Sequence, residues 1–423
     1  MTATAGIVWR ALGSGLFVFS ASQVGCAQTS DQPVSVSTFN DSATDILKPR
    51  FSGNLRLRYE FDDDNAAPLN ANALTLRFLG SVEATLFKKT TILGEIEANG
   101  AIVNQFNDGT GNMPDRPLIP DPNGFDLNRL QITTELIPKT RITAGRQRIA
   151  LDDERFIAQS VFRQQDRTFD GVRVTTNPVG DILVDLTYFR QANQPLGGDN
   201  PNGQPFGDSF LVNLNIPTPV GRLAGFHYAL DLANGPPEAR NFNASSQTSG
   251  ARLVGRKSVG DAVFLWEASY ARQTSFANNP NEFSADYYLG SLQADYKRVS
   301  VRARGEVLGD GGTQSFQTPL GALHRFNGFA DVFMTTPPDG LVDVSLFGVY
   351  RFGTVGNVTR LRANVRHHWF EAESVNQSYG TEWNATLAAE YKRTNFSITY
   401  ANYRSDGFAT DAQNLFLTVS RSF

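Results

Sequence analysis

Asn414 to Phe423, NLFLTVSRSF, decides how this chain is to be read. Successive side chains of a strand point to opposite sides. Leu415, Leu417, Val419 and Phe423 therefore share one face, while Asn414, Thr418, Ser420 and Ser422 share the other. Arg421 falls on the apolar face, close enough to the chain end to snorkel into a polar boundary. Such a strand requires an apolar medium on one side and water or a polar interior on the other.

Moving outward from this strand, nearly the whole chain divides into amphipathic segments of about ten residues, the cumulative signature of a transmembrane barrel. The segments begin near Arg50, Ala71, Thr91, Asp126, Arg141, Thr168, Asp181, Asp208, Arg222, Ser249, Asp261, Phe283, Val299, Leu341, Asn357, Gly380, Asn395 and Asp411. Few stretches have helical periodicity, so the expected fold is all-β: a single transmembrane antiparallel β-barrel of about 18 strands. The terminal strand resembles the one with which bacterial outer-membrane barrels close, ending in Phe, which their assembly machinery reads. A secreted β-sandwich or β-propeller is the alternative.

Connection lengths separate these alternatives, because outer-membrane barrels alternate short periplasmic turns with long external loops. Short connections fall at Lys88 to Thr90, Pro138 to Thr140, Asn177 to Gly180, Pro217 to Gly221, Lys257 to Gly260, Lys297 to Val299, Gly353 to Gly356 and Lys392 to Thr394. Between them lie long ones rich in Asn, Asp, Gly and Pro: Gln105 to Gly124, Asp152 to Arg167, Ala192 to Gly207, Gly235 to Ser246 and Gly309 to Gly340. Six of the 7 lysines, Lys88, Lys89, Lys139, Lys257, Lys297 and Lys392, mark the short turns, whereas arginines run through the strands.

Residues 1–27 have the form of an export signal, with Arg10, an apolar run from Ala11 to Ser20, and Gly25 and Ala27 before a cleavage site. Cys26 as a lipidated residue is a competing reading, with Gln23 as its departure from that pattern. Residues 28–48 read as a short periplasmic leader and 49–423 as the barrel. Beyond the signal no apolar run approaches the roughly 18 residues of a membrane helix, so a spanning chain must be a closed barrel. A formal charge of −4 argues against a nucleic-acid partner. The expected surroundings are outer-membrane lipid and lipopolysaccharide.

On several strands the polar face carries arginine at alternate positions: Arg56 and Arg58, Arg302 and Arg304, and Arg360, Arg362 and Arg366. Their neighbours Leu55, Leu57, Tyr59, Leu361, Val365 and Trp369 then face lipid. The opposite orientation would cost about 2 to 4 kcal/mol per Arg at mid-membrane. Arg77, Arg129, Arg173 and Arg252 fit the same inward parity, as do Glu60, Glu83, Glu95, Glu97, Glu135, Asp185 and Glu306. Guanidinium stays charged and suits carboxylates, so a ring of it favours anions; equally, the charges could be mutually paired to keep the lumen rigid.

The segment Ala144 to Gly171, AGRQRIALDDERFIAQSVFRQQDRTFDG, resembles the central motif of the alginate export family, and TPLGALHRFNGFADVFMTTPPDGL, Thr318 to Leu341, is a second match. With Leu55 to Tyr59 and Phe423, the similarity covers nearly all of the barrel. That resemblance implies an outer-membrane channel for an acidic sugar polymer or oligosaccharide, without cofactor. By motif match it places Arg146, Arg148, Asp152, Asp153, Arg155, Arg163, Asp166 and Asp170 on the solute path. Arg146 and Arg148 share parity with Ile142 and Ala144, so their inward placement rests on resemblance alone. A general diffusion porin for small solutes is the alternative function.

Enzyme readings fare poorly. His367 and His368 are adjacent on a strand and point to opposite faces, so they cannot chelate one metal. Asp152 and Asp153 are adjacent too, which is not the cross-cleft geometry of a carboxylate pair acting on a polysaccharide. A barrel enzyme acting on polysaccharide or lipid is thus the remotest alternative.

Overall fold

The computed structural model describes residues 48–235 and 240–423. The export signal at 1–27 and all but the last residue of the leader at 28–48 lie outside the described residues. Eighteen strands follow one another: β1 (Arg50–Asp64), β2 (Ala71–Phe87), β3 (Thr90–Gln105), β4 (Gly124–Thr134), β5 (Thr140–Gln147), β6 (Thr168–Thr176), β7 (Leu183–Asn193), β8 (Phe206–Thr218), β9 (Gly221–Leu230), β10 (Ser246–Val259), β11 (Ala262–Ser275), β12 (Ser284–Tyr296), β13 (Val299–Leu308), β14 (Leu341–Val355), β15 (Val358–Glu371), β16 (Ser378–Tyr391), β17 (Thr394–Ser405) and β18 (Ala412–Ser422). Each pairs antiparallel with its neighbours in sequence, and β1 pairs with β18, so the sheet has no first or last edge. Closure satisfies every strand's backbone without an edge in lipid.

The closing seam is built from the terminal strand. Leu57 lies opposite Val419 and Arg58 opposite Thr418, which puts apolar side chains together outside and polar ones inside. Leu55 is 42% exposed on the outer face, whereas Arg56 and Arg58 are buried within. The eight short turns sit at one end of the barrel. Lys392 and Arg393 both adopt positive φ, 47° and 65°, the two-residue hairpin geometry that matches strand twist.

Two aromatic girdles bound the outer apolar band, as expected where amphipathic rings meet both interfaces. Near the loop end, Tyr188 donates its hydroxyl to Asp208 at 2.6 Å, Tyr270 to Asp286 at 2.9 Å and Tyr400 to Gln413 at 3.0 Å. Near the turn end, Lys297 and Lys392 lie over Tyr296 and Tyr391 at 5.0 and 5.2 Å.

Two long connections do not project outward but fold into the barrel: residues 148–167, between β5 and β6, and residues 309–340, between β13 and β14, which include a short 3-10 turn at Leu323–Arg325. Their apolar side chains meet one another and inward-facing rings from the loop ends of the strands. Phe156 packs against Phe226, Tyr287 and Phe316 at 5.4, 5.1 and 5.8 Å between ring centroids. Phe333 does the same with Phe370 at 4.4 Å and Tyr403 at 5.9 Å. The upper lumen therefore contains a hydrophobic core of its own.

Candidate functional site

The inward strand residues divide into those that fasten the two in-folded loops and those that border the remaining passage. On the β1–β4 side, arginines are consumed by fastening. Arg56 donates to the Gln164 side chain at 2.9 Å, to the Val161 carbonyl at 2.7 Å and to the Arg163 carbonyl. Arg58 donates to the Phe162 carbonyl at 2.5 Å and lies 4.3 Å from the Phe162 ring. Arg77, 0% exposed, pairs with Asp166 at 3.0 Å. Arg129 pairs with Glu95, and Arg148 bridges Glu95 at 3.0 Å and Asp166.

These arginines face inward as their parity requires, yet they hold protein rather than an open lumen. Asp166 illustrates the electrostatics. Burial alone would raise its pKa, but Arg148, Arg77, Arg56 and Arg129 outweigh burial and hold the carboxyl below its ordinary range.

The two loops also grip each other. Arg163 reaches Glu60 on β1 at 2.9 Å and Asp331 of the second loop at 3.0 Å. His324 meets Asp331 at 2.7 Å and stacks on Phe162 with centroids 3.3 Å apart. Across the barrel, Arg155 donates to Glu306 on β13 at 2.8 and 3.3 Å, and to Thr318 and Asn327.

What remains is a constriction with an excess of guanidinium. Arg252 on β10, Arg302 and Arg304 on β13, Arg366 on β15 and Arg325 from the second loop surround Asp153, Glu154, Glu267 and Glu306, the last 2.8 Å from Arg304. Arg252 lies 2.8 Å from Glu267 and 3.9 Å from Asp153; Arg302 lies 2.9 Å from Glu267; Arg325 lies 3.6 Å from Glu154. Rings of the second loop line the same place. Phe326 lies 4.8, 5.3 and 5.5 Å from the guanidinium carbons of Arg155, Arg304 and Arg325, and Phe329 lies 5.6 Å from that of Arg366.

The neighbouring loop carboxylates are shifted in opposite directions. Asp152, bonded to Asn213 at 2.7 Å, is raised by burial. For Asp153 burial pushes the same way, but Arg252, Arg325 and Arg304 outweigh it and lower the pKa.

Other residues singled out in the sequence lie elsewhere. Arg146 and Asp170 sit opposite each other where β5 leaves the wall and pair at 2.7 and 2.8 Å. Arg146 also donates to the Leu127 carbonyl at 3.1 Å, so it caps the strand edge that β5 leaves behind and does not border the constriction. Arg173 pairs with Asp185 in the wall at 2.9 Å. Arg362 faces inward on β15 opposite Ala388. Arg360 differs from the inward placement that alternation predicts: it lies beside the short turn, at a β-bulge with φ 52°, its side chain 76% exposed and 3.1 Å from Glu390. A bulge inserts a residue and breaks the alternation on which that placement rested.

His367 and His368 separate as alternation demands. The first stacks on Trp383 at 4.2 Å, and the second bonds Asp343 inside the wall at 2.8 Å. Sequence reasoning missed Glu382, Asn327 and the aromatic residues of the inner core. The aromatic core did leave a trace: at the loop end of β9, Phe226, Tyr228 and Leu230 make the lumen face apolar.

No family model and no curated protein sequence matches the chain. Among solved structures it is similar to Pseudomonas aeruginosa OpdK crystallised with vanillate, with a TM-score of 0.68 at 13% identity, covering 89% of this chain and 98% of that one. P. aeruginosa OccK9 (OpdG) gives a TM-score of 0.68 at 15% identity, covering 89% and 98%. A BenF-like porin from Pseudomonas fluorescens Pf-5 gives 0.66 at 14% identity, covering 90% and 99%. These likenesses extend to the porin-like barrel and not to the narrower alginate-export resemblance. A closed 18-stranded barrel with this outer apolar band and these girdles has the architecture of the bacterial outer membrane.

Proposed function

We propose that the chain is a passive outer-membrane channel for small anionic solutes, selected at the constriction of Arg252, Arg302, Arg304, Arg325 and Arg366. The observation that carries this reading is the division of labour among the arginines. Those on β1 and β2 fasten an in-folded loop, while five others surround four acids, Asp153, Glu154, Glu267 and Glu306, in the passage that remains. Fixed positive charge in a confined, low-dielectric passage attracts anions and repels cations.

Two loops packed into the lumen favour a small solute over a polymer, so we prefer the small-solute alternative to the acidic polysaccharide. The vanillate in one structural neighbour is a small aromatic carboxylate, which accords with that preference. The test is reversal potential in planar bilayers. Arg302→Gln with Arg366→Gln should shift selectivity toward cations, and monomeric uronate should reduce ion current where long uronate oligomers do not enter. Unchanged selectivity in a folded double variant would leave only an unselective pore; entry of the oligomers would restore the polymer reading.

A further inference from the structure

Glu382 on β16 is fully buried and projects into the barrel. One of its oxygens accepts the backbone N–H of Phe329 at 2.6 Å, that of Ala330 at 3.1 Å and the Asn384 amide at 2.5 Å. Asn327 and Gly328, just before this contact, both have positive φ, 55° and 91°. After this left-handed turn the consecutive N–H groups of Phe329 and Ala330 point to one oxygen, an anion-receiving nest of the kind turns make. The fit is close: a Cβ at Gly328 would lie 2.2 Å from the other Glu382 oxygen. Asn327 is held separately, donating to Glu306 at 2.7 Å and Asp343 at 3.0 Å. The clamped residues directly follow Arg325 and Phe326, the loop's contribution to the constriction.

We propose that Glu382 is a titratable latch, a positioning residue that holds the constriction loop while its carboxylate is ionised and loosens it on protonation. The inference rests on the channel reading. Charge-assisted hydrogen bonds are roughly twice as strong as neutral ones, so neutralising the acceptor weakens three contacts at once. The groups facing Glu382 from the adjoining elements are His368, opposite it on β15 and bonded to Asp343 of β14, Tyr403, opposite it on β17, and Asp331 of the loop. Arg366 lies two pairs further along β15, opposite Asn384. The loop's own N–H groups, with the Asn384 amide, bond the Glu382 carboxylate directly.

Single-channel recording of the full barrel between about pH 8 and about pH 4, the span in which carboxylates and imidazole titrate, tests the latch. The wild type should gain current-flicker events on acidification, by roughly tenfold for a loss of about 1.4 kcal/mol in holding the loop. Glu382→Gln should flicker at pH 8 as the wild type does in acid, and should respond little to pH. Gly328→Ala, which disturbs the nest from the loop side, should flicker at every pH. His368→Asn should keep the wild-type response; its loss there would assign the titration to imidazole and overturn the proposal. A quiet Glu382→Gln channel, with heat-modifiable migration proving that it folded, would overturn it as well. Absence of any conductance from the wild type would instead defeat the channel reading.

Discussion

Arg155 and Glu306, 151 positions apart in sequence, form a two-point ion pair in the barrel interior, with both side chains almost wholly buried. Glu306 also accepts from Arg304 at 2.8 Å, Tyr287 at 2.7 Å and Asn327 at 2.7 Å. It is the joint at which both in-folded loops meet the wall.

The joint is asymmetric, and so are the expected effects of breaking it. Arg155→Met leaves Glu306 compensated by Arg304. Glu306→Leu leaves two guanidiniums buried together, and one-sided removal of a buried partner costs about 3 to 5 kcal/mol. Glu306→Leu should therefore lower the heat-modifiability midpoint more than Arg155→Met, and should raise conductance by freeing both loops. Equal losses, or a greater loss for Arg155→Met, would show that the pair does not organise the lumen.

Topology can be read with single cysteines in a Cys26→Ser background, since Cys26 is the chain's only cysteine. Asn278 is exposed in the β11–β12 loop, and Lys257 is exposed near the opposite end of β10. An impermeant maleimide added to intact cells should label Asn278→Cys and spare Lys257→Cys until the outer membrane is permeabilised. The reverse pattern would invert the barrel.

The wall was more legible than its contents. All eighteen strand starts read from alternation fall within three residues of those observed. Each strand carries its own periodic signal, and lipid enforces it on every outward position. Alternation tells which side chains point inward but not what awaits them there. Arg56 and Arg302 have the same parity, yet one holds loop carbonyls and the other borders the constriction. That difference depends on contacts more than a hundred residues distant, such as Arg56 to Gln164. Arg360 eluded the pattern because a bulge interrupts it.

Strong acid should release the first loop. The pKa of Asp166 is lowered in the folded protein, so its contribution is fully present above the unfolded value of 3.8 and is lost as pH falls through the lower folded value. Asp331 is also lowered, since His324 and Arg163 outweigh its burial, so the contact between the loops fails in the same direction. Protease cleavage within residues 148–167 should appear below about pH 3.8 and remain absent at pH 5. Asp166→Asn should be cleavable at neutral pH. Protection of that variant at pH 7 would mean that apolar packing around Phe156, not the carboxylate, holds the loop.

The seam supplies the last prediction. Gly53 and Phe423 exchange both backbone hydrogen bonds, at 2.8 and 2.9 Å, and a Cβ at Gly53 would come within 2.5 Å of the Phe423 ring. The ring thus lies across the bare backbone of β1 at the last rung of closure, 65% exposed on the outside. Deleting Phe423 removes this rung but leaves the eleven pairs from Asn54–Ser422 to Asp64–Ala412. Refolding into detergent should therefore be nearly unaffected, with a destabilisation of about 1 to 2 kcal/mol for two lost bonds and a ring contact. Assembly in cells should fall much further if the terminal residue is what the assembly machinery reads. Comparing heat-modifiable barrel from refolding with that recovered from membranes separates the two roles. An equal decline in both would make Phe423 only a structural clasp, and no decline in either would deny it both roles.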